Sequence, residues 1–170
     1  MQNRPDLQKL LDYNVAVLDQ ALKVIDAHEA TPGSRFSSHS GPHLRHVVEH
    51  YEAFILNVAR FSVDYDTRAR DRILEQDPTV ARQRIGHLQQ QLANLDTAAL
   101  AAPIAVHLRG GLAGEDNFVS FSSLSRELLF LASHAVHHYA LIQLHCKADG
   151  IVLGDDFGKA PATVRHARQA

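Results

Sequence analysis

The chain has a single cysteine, Cys146. It can close no internal disulfide, which fits a reducing, cytoplasmic setting. It also lacks a surplus of basic charge: 17 Lys and Arg stand against 19 Asp and Glu, for a net charge of −2 with histidine neutral. Nothing is left over to neutralise a phosphate backbone, so no nucleic-acid partner is expected. No apolar run approaches the roughly 20 residues of a membrane-spanning helix, and Met1-Gln2-Asn3-Arg4-Pro5-Asp6 lacks the apolar stretch of a secretory signal. No membrane partner is expected either. Several catalytic signatures are missing as well. There is no Gly-x-Gly-x-x-Gly or Gly-x-x-x-x-Gly-Lys loop to cradle a phosphate. Gly-x-Ser-x-Gly and Cys-x-x-Cys are absent, and no His-Glu-x-x-His supplies a metal with a built-in glutamate base.

What the sequence does have is histidine. Twelve occur in 170 residues, and seven of them fall in two short windows: His43, His46 and His50, then His134, His137, His138 and His145. Neither group is contiguous or terminal, so an affinity tag is not their source. The rest of the composition, 45% hydrophobic and 21% charged, is that of an ordinary globular chain. Its length suits one domain, residues 1–170, with a sizeable core.

Apolar spacing predicts four long helices. Leu7, Leu11, Asn14, Leu18, Ala21 and Ile25 recur at three- and four-residue steps and predict a helix from Asp6 to His28, broken by Thr31-Pro32-Gly33-Ser34. Ser40-Gly41-Pro42 predicts a second start, with Ser40 as cap, and a helix running to Phe61. Residues 64–77 read as a charged connector with one helical turn. Asp77-Pro78 opens a third helix, which Ala81, Ile85, Leu88, Leu92 and Leu95 carry to Asp96. Pro103 to Leu108 and Asn117 to Phe121 are β-prone runs around a Gly-rich loop, hence a hairpin. Ser122-Ser123 caps a last helix from Leu124 to Ala148, and the tail from Ile151 is expected to be irregular. The fold class is therefore all-α: a four-helix bundle with a small β-hairpin inserted before the last helix.

On a helical wheel His43, His46 and His50 share a stripe of about 60°, on the side of Val47 and Phe54. His134, His138 and His145 share a face of the last helix, and His137 lies off it. Two imidazoles at i and i+4 can reach one ion, and a third from a facing helix completes a site with open positions. A lone core-facing histidine is usually a packing residue. A second stripe on a separate helix raises the case, because several buried imidazoles cost desolvation unless something organises them. His28, His39, His87, His107 and His166 fall at helix ends, in loops or in the tail, where surface or capping roles suit them. Cys146 lies off the histidine face, as a small buried hydrophobe. Asn14 and Asn57 interrupt apolar stripes and are open to structural or substrate roles alike. Glu127 shares the face of His134, seven residues before it, as a candidate proton acceptor, although a first-turn carboxylate needs no such role. Arg45 and Arg126 read as solvated or paired with the connector's acids.

Two segments carry a resemblance. Gly41-Pro42-His43-Leu44-Arg45-His46-Val47-Val48-Glu49-His50, together with Arg126-Glu127-Leu128-Leu129-Phe130-Leu131-Ala132-Ser133-His134-Ala135-Val136-His137-His138-Tyr139, resembles the DinB-like (YfiT-like) superfamily of bacterial four-helix-bundle metalloproteins. The resemblance implies a divalent metal ion, nickel, zinc or iron, held by His46, His134 and His138. His43 and His50 share the stripe of His46, and His50 stands where the familiar pattern has an acid. The tail Asp155-Asp156-Phe157-Gly158-Lys159-Ala160-Pro161-Ala162-Thr163 looks like a subgroup signature. By resemblance the expected function is metal-dependent transfer of a low-molecular-weight thiol to a small electrophile, or a related hydrolysis. Glu127 and His50 are the candidate catalytic groups, small molecules the partners, and a homodimer is compatible with the helix faces. A noncatalytic metal-binding or stress-response module is the alternative.

Overall fold

The computed structural model describes residues 4–169, with side chains from Asp6 onward. Its first helix, α1 (Arg4–Glu29), buries Leu7, Leu11, Asn14, Leu18, Ala21 and Ile25, as their spacing predicts. Val17 and Val24 are buried as well, because both α4 (Pro78–Ala93) and α5 (Leu124–Ala148) pack on α1. Each fully buried Leu or Phe of this core contributes about 1.5–3 kcal/mol of transfer free energy.

The second helix, α2 (Ser40–Asn57), begins where predicted but stops short of Phe61. Ser40 is not its cap. It is the first helical residue, and its buried hydroxyl sits 2.8 Å from His28 Nε2, so it is not free to fold back on the helix end. A 3-10 turn at Val58–Arg60 follows. Phe61, with φ of 50°, then turns the chain into a short strand, β1 (Ser62–Asp64).

Residues 64–77 hold more structure than a connector with one turn: a 3-10 turn at Tyr65–Thr67 and a short helix, α3 (Arg72–Gln76). α3 packs so closely on the start of α2 that a Cβ at Gly41 would overlap the Glu75 carbonyl oxygen. Asp77 caps α4 as predicted, accepting the Thr79 and Val80 N–H groups. Arg84 on α4 donates to both oxygens of Glu52 on α2, at 2.5 and 2.6 Å, and ties the two helices. The predicted hairpin is present as β2 (Pro103–Gly110) and β3 (Asp116–Ser123), and Ser123 caps α5 by accepting the Arg126 N–H. The tail expected to be irregular contains a helix, α6 (Pro161–Ala167). It is brought in at Gly158, whose φ of +68° and close approach to the Tyr139 backbone leave no room for a side chain.

The expectation of an all-α four-helix bundle with a small hairpin is thus corrected. Among the described residues there are six α-helices and a three-stranded mixed sheet in the order β1–β2–β3. β1 runs parallel to β2, with Val63 opposite Val106, and β2 antiparallel to β3, with Ile104 opposite Ser122. The physical reason is the third strand. Val63 is buried with Ile104, and its backbone is paired by residues far along the chain. A three-residue strand shows no period, and a distant parallel partner leaves no turn signal beside it. For the site, what matters is that α2 and α5 pack against one another. No helix among the described residues is long and apolar enough to cross a membrane.

Candidate functional site

Three- and four-residue steps place His43, His46 and His50 along α2, and His134 and His138 lie one turn apart on α5. Where these helices meet, His46 Nε2 lies 2.9 Å from His134 Nε2. His138 Nε2 lies 3.1 Å from the same nitrogen. One ring nitrogen from each of His46, His134 and His138 falls within 4.8 Å of the others. All three rings are half-buried. A ring nitrogen carries either a proton or a lone pair. The single His134 Nε2 therefore cannot make two full hydrogen bonds to its two neighbours. A cation about 2.0–2.1 Å from each nitrogen would satisfy all three lone pairs together.

The electrostatics point the same way. Burial, followed by His50, His138 and the Arg68 guanidinium, holds His46 down at about 2. Burial, then His134 and His43, holds His138 at about 3. Burial, then His50 and His137, holds His134 at about 4. These imidazoles are neutral at physiological pH, so each keeps one ring lone pair that a metal can use.

Three neighbours surround the three rings. His43 Nδ1 lies 2.9 Å from His138 Nδ1, where it can accept that ring's proton and leave Nε2 free for an ion. His50 is buried; its Nδ1 donates to the His46 carbonyl at 2.6 Å, which puts its remaining lone pair on Nε2. Its ring stacks on His134 with centroids 4.6 Å apart. Burial lowers its pKa, partly offset by that hydrogen bond. The third neighbour, Arg68, donates through Nη2 to His46 Nδ1 at 3.3 Å. That contact needs a lone pair on Nδ1, and so a proton on Nε2. A metal on Nε2 would move the proton to Nδ1 and displace Arg68. The buried Glu49 is placed to receive it: Oε1 accepts the Asp71 N–H at 2.5 Å. Oε2 has no hydrogen-bond partner and lies 3.8 Å from Arg68 Nε, itself without one.

Glu127 stands in a different network. Its Oε2 accepts from Tyr65 Oη at 2.9 Å. Its Oε1 accepts from Ser122 Oγ at 2.6 Å and from Arg126 at 3.1 Å. Tyr65 in turn stacks on His50, centroids 5.5 Å apart, so Glu127 reaches the histidines only through that ring.

The other candidates fall outside the group. Asn14 is buried and committed, accepting from Tyr51 Oη and donating to the Leu10 carbonyl, both at 2.8 Å. Asn57 donates to the Ala53 carbonyl. Arg45 pairs with Glu75 at 2.6 Å, a connector acid as expected. Cys146 is free and buried, 3.6 Å from Ser40 Oγ, and burial pushes its thiol up. His28, read as a surface or capping residue, is buried beside it. His87, His137 and His166 are exposed. Arg68, Tyr65 and Glu49 escaped the sequence reading: Arg68 and Tyr65 lie in the stretch taken for a connector, and Glu49 lies off the histidine stripe. The one available signal was the density of charge in residues 64–77.

A cavity of about 560 Å³, which none of His43, His46, His50, His134 or His138 lines, lies between the Tyr65–Thr67 turn and the sheet, lined in part by Asp66, Arg70, His107, Leu108, Phe118 and Val119.

Comparison with known proteins overturns the family expectation. No family model matches the chain, and no solved structure does. A curated relative, "FK506-binding protein 5" of Rhizopus delemar, is 30% identical over 107 residues, 63% of this chain. The match spans 28% of that protein's own length. The relative is named for FK506 binding, not as a DinB-like metalloprotein, and that corrects the resemblance read from the two histidine segments. The functions drawn from it, metal-dependent thiol transfer or hydrolysis and the noncatalytic metal-binding or stress-response module of that family, fall with it; the comparison does not bear on whether the three histidines hold an ion. A histidine group between two helices is something many helical scaffolds can build, and it selects no family by itself.

Proposed function

We propose that the chain binds one divalent transition-metal ion through His46, His134 and His138. The observation that supports this most directly is the convergence of three neutral imidazoles, two of them facing the single His134 Nε2 at 2.9 and 3.1 Å. An all-imidazole set suits zinc, nickel or iron rather than calcium or magnesium. His43 is the outer partner that orients His138. Arg68 shifts from His46 to Glu49 as the ion enters. Three protein ligands leave coordination positions open, and an ion so held is a Lewis acid for a small molecule. A single free, buried cysteine suits a reducing compartment such as the cytoplasm.

Titrating the chain with Co²⁺ while following visible absorption tests this. The expected result is saturation near one equivalent with a nitrogen-ligand spectrum, lost in His134→Ala. A spectrum unchanged by that substitution overturns the reading.

The relative's name favours a second reading, binding of FK506 itself. The cavity beside β2 and β3 has a volume within the roughly 300–1,000 Å³ of small-molecule sites, with Phe118 and Leu108 on its wall. Calorimetric titration with FK506 decides it: heat of binding that is lost in Phe118→Ala supports this reading, and no binding to the unsubstituted chain ends it.

A further inference from the structure

The sheet has two edges, and they are built differently. β1 closes one of them with three residues, of which Val63 is buried. β3 forms the other with eight, exposed from Asp116 to Phe121 and half-buried at Ser122 and Ser123. Long edges are usually defended by a charge, a proline or a bulge that turns other strands away. β3 has no such defence beyond Asp116. Asn117-Phe118-Val119-Ser120-Phe121-Ser122-Ser123 is uncharged, and its pairing with β2 runs unbroken from Pro103 opposite Ser123 to Gly110 opposite Asp116.

The hydrogen bonds of β2 fix which groups of β3 face outward. Ala105 N–H donates to the Phe61 carbonyl at 2.9 Å, so Ala105 turns away from β3. Phe121, its partner across the ladder, then turns its own N–H and C=O to the open edge. Alternation gives the same direction to Asn117, Val119 and Ser123. The next residue, Leu124, donates inward to the Ala102 carbonyl at 3.2 Å, as that alternation requires. Val119 and Phe121 also share one face of the sheet, 57% and 83% exposed. Among the described residues no strand pairs this edge.

We propose that β3 pairs antiparallel with β3 of a second copy of this chain, about a two-fold axis at Ser120, so that one sheet runs through both copies. In this register the outward-facing residues meet one another. Val119 of each copy faces Phe121 of the other, Asn117 faces Ser123, and each such pair exchanges two main-chain hydrogen bonds. Val119 and Phe121 make an aromatic and β-branched cross-strand pair, formed twice, with the two Phe121 rings on the diagonal between them. No charge meets a like charge. The Asp116 end of one strand falls beside the start of α5 of the other copy, where Arg126 is exposed and an acidic group is favoured. This self-match selects a second copy over a foreign strand, because a two-fold contact requires one patch to fit itself. The pairing lies on the sheet edge rather than on the helix faces, and it uses none of the histidines between α2 and α5.

One strand pair makes a small interface, so dissociation is expected in the micromolar range. Sedimentation velocity of the full chain across about 1–300 µM is expected to show the mass rising from one chain to two. Val119→Lys/Phe121→Lys sets lysine against lysine and is expected to stay monomeric throughout. Val119→Lys/Phe121→Glu sets lysine against glutamate and is expected to keep the dimer. The register is read with Ser120→Cys in a Cys146→Ser background. The two-fold axis places the two introduced thiols at a non-hydrogen-bonded pair, with Cα atoms about 4.5 Å apart, within reach of a disulfide. Mild oxidation is expected to join the copies there and not through Asn117→Cys, which faces Ser123. A monomer at every concentration overturns the pairing and leaves the edge to a strand of another protein. A dimer that survives Val119→Lys/Phe121→Lys overturns it too and moves the contact to another face. A disulfide that forms as readily through Asn117→Cys as through Ser120→Cys overturns the register.

Discussion

Two polar clusters, one buried and one half-buried, sit along α5 and are built on opposite principles. Near its start, the Glu127 carboxylate is 1% exposed and both its oxygens accept hydrogen bonds, from Tyr65, Ser122 and Arg126. One turn and more along the helix, His134 brings one nitrogen to two others, and no arrangement of protons serves all three. The first cluster is complete within the protein, whereas the second leaves lone pairs that a cation would satisfy on the reading proposed above. The difference teaches how to tell a structural polar network from a ligand site. Buried polarity alone does not distinguish them; the balance of donors against lone pairs does.

The comparison breaks most sharply at His134. Its replacement by alanine is expected to weaken metal binding about a thousandfold, about 4 kcal/mol, measured by competition with a chromophoric chelator. Glu127→Gln is expected to do the reverse. It costs about 1–3 kcal/mol of folding stability, because one oxygen becomes a donor facing donors, and it leaves metal affinity unchanged. Urea denaturation read beside the same competition assay checks both halves, and a Glu127→Gln variant that loses the metal would merge the two clusters into one.

Smaller changes sharpen the contrast. His43→Ala is expected to weaken metal binding about tenfold, through loss of the outer partner of His138. Arg68→Gln is expected to strengthen it a few-fold, roughly 1 kcal/mol or less, by removing a positive charge and a competitor for His46. A weakened Arg68→Gln would show that the guanidinium supports the site.

The pH dependence of the metal-free protein completes the set. His46, His134 and His138 are held at about 2, 4 and 3, below the roughly 6.5 of an unfolded chain. The unfolded state therefore binds protons first as pH falls, and stability declines from about pH 6.5 toward pH 4. Urea midpoints across that window, with a chelator present, are expected to fall with pH, less steeply in His134→Ala; equal slopes would contradict this.

How much of this was legible beforehand depended on the range of each signal. Helix periodicity is local, so α1, α4 and α5 and the hairpin pair emerged from spacing and caps such as Asp77 and Ser123. The two histidine stripes emerged in the same way, since a wheel needs only one helix. The three-stranded sheet did not, because Val63 is paired by Val106 and nothing near Val63 announces that partner. Arg68 and Glu49 were hidden for a related reason. Their meeting joins a charged loop to a helix face, and only the packing of residues 64–77 over α2 brings them together. The two motifs that suggested a DinB-like family described the histidine face well and the family wrongly: spacing on two helices follows from geometry, whereas descent is read from the whole chain.

The central claim is that three imidazoles from α2 and α5 share one ion. X-ray absorption at the zinc edge, on the chain loaded with one equivalent of Zn²⁺, tests it most directly. The account predicts a first shell containing three imidazole nitrogens at about 2.0–2.1 Å, with the outer-shell scattering of histidine rings, reduced in His134→Ala. A shell of oxygens alone, or one unaffected by His134→Ala, would contradict it.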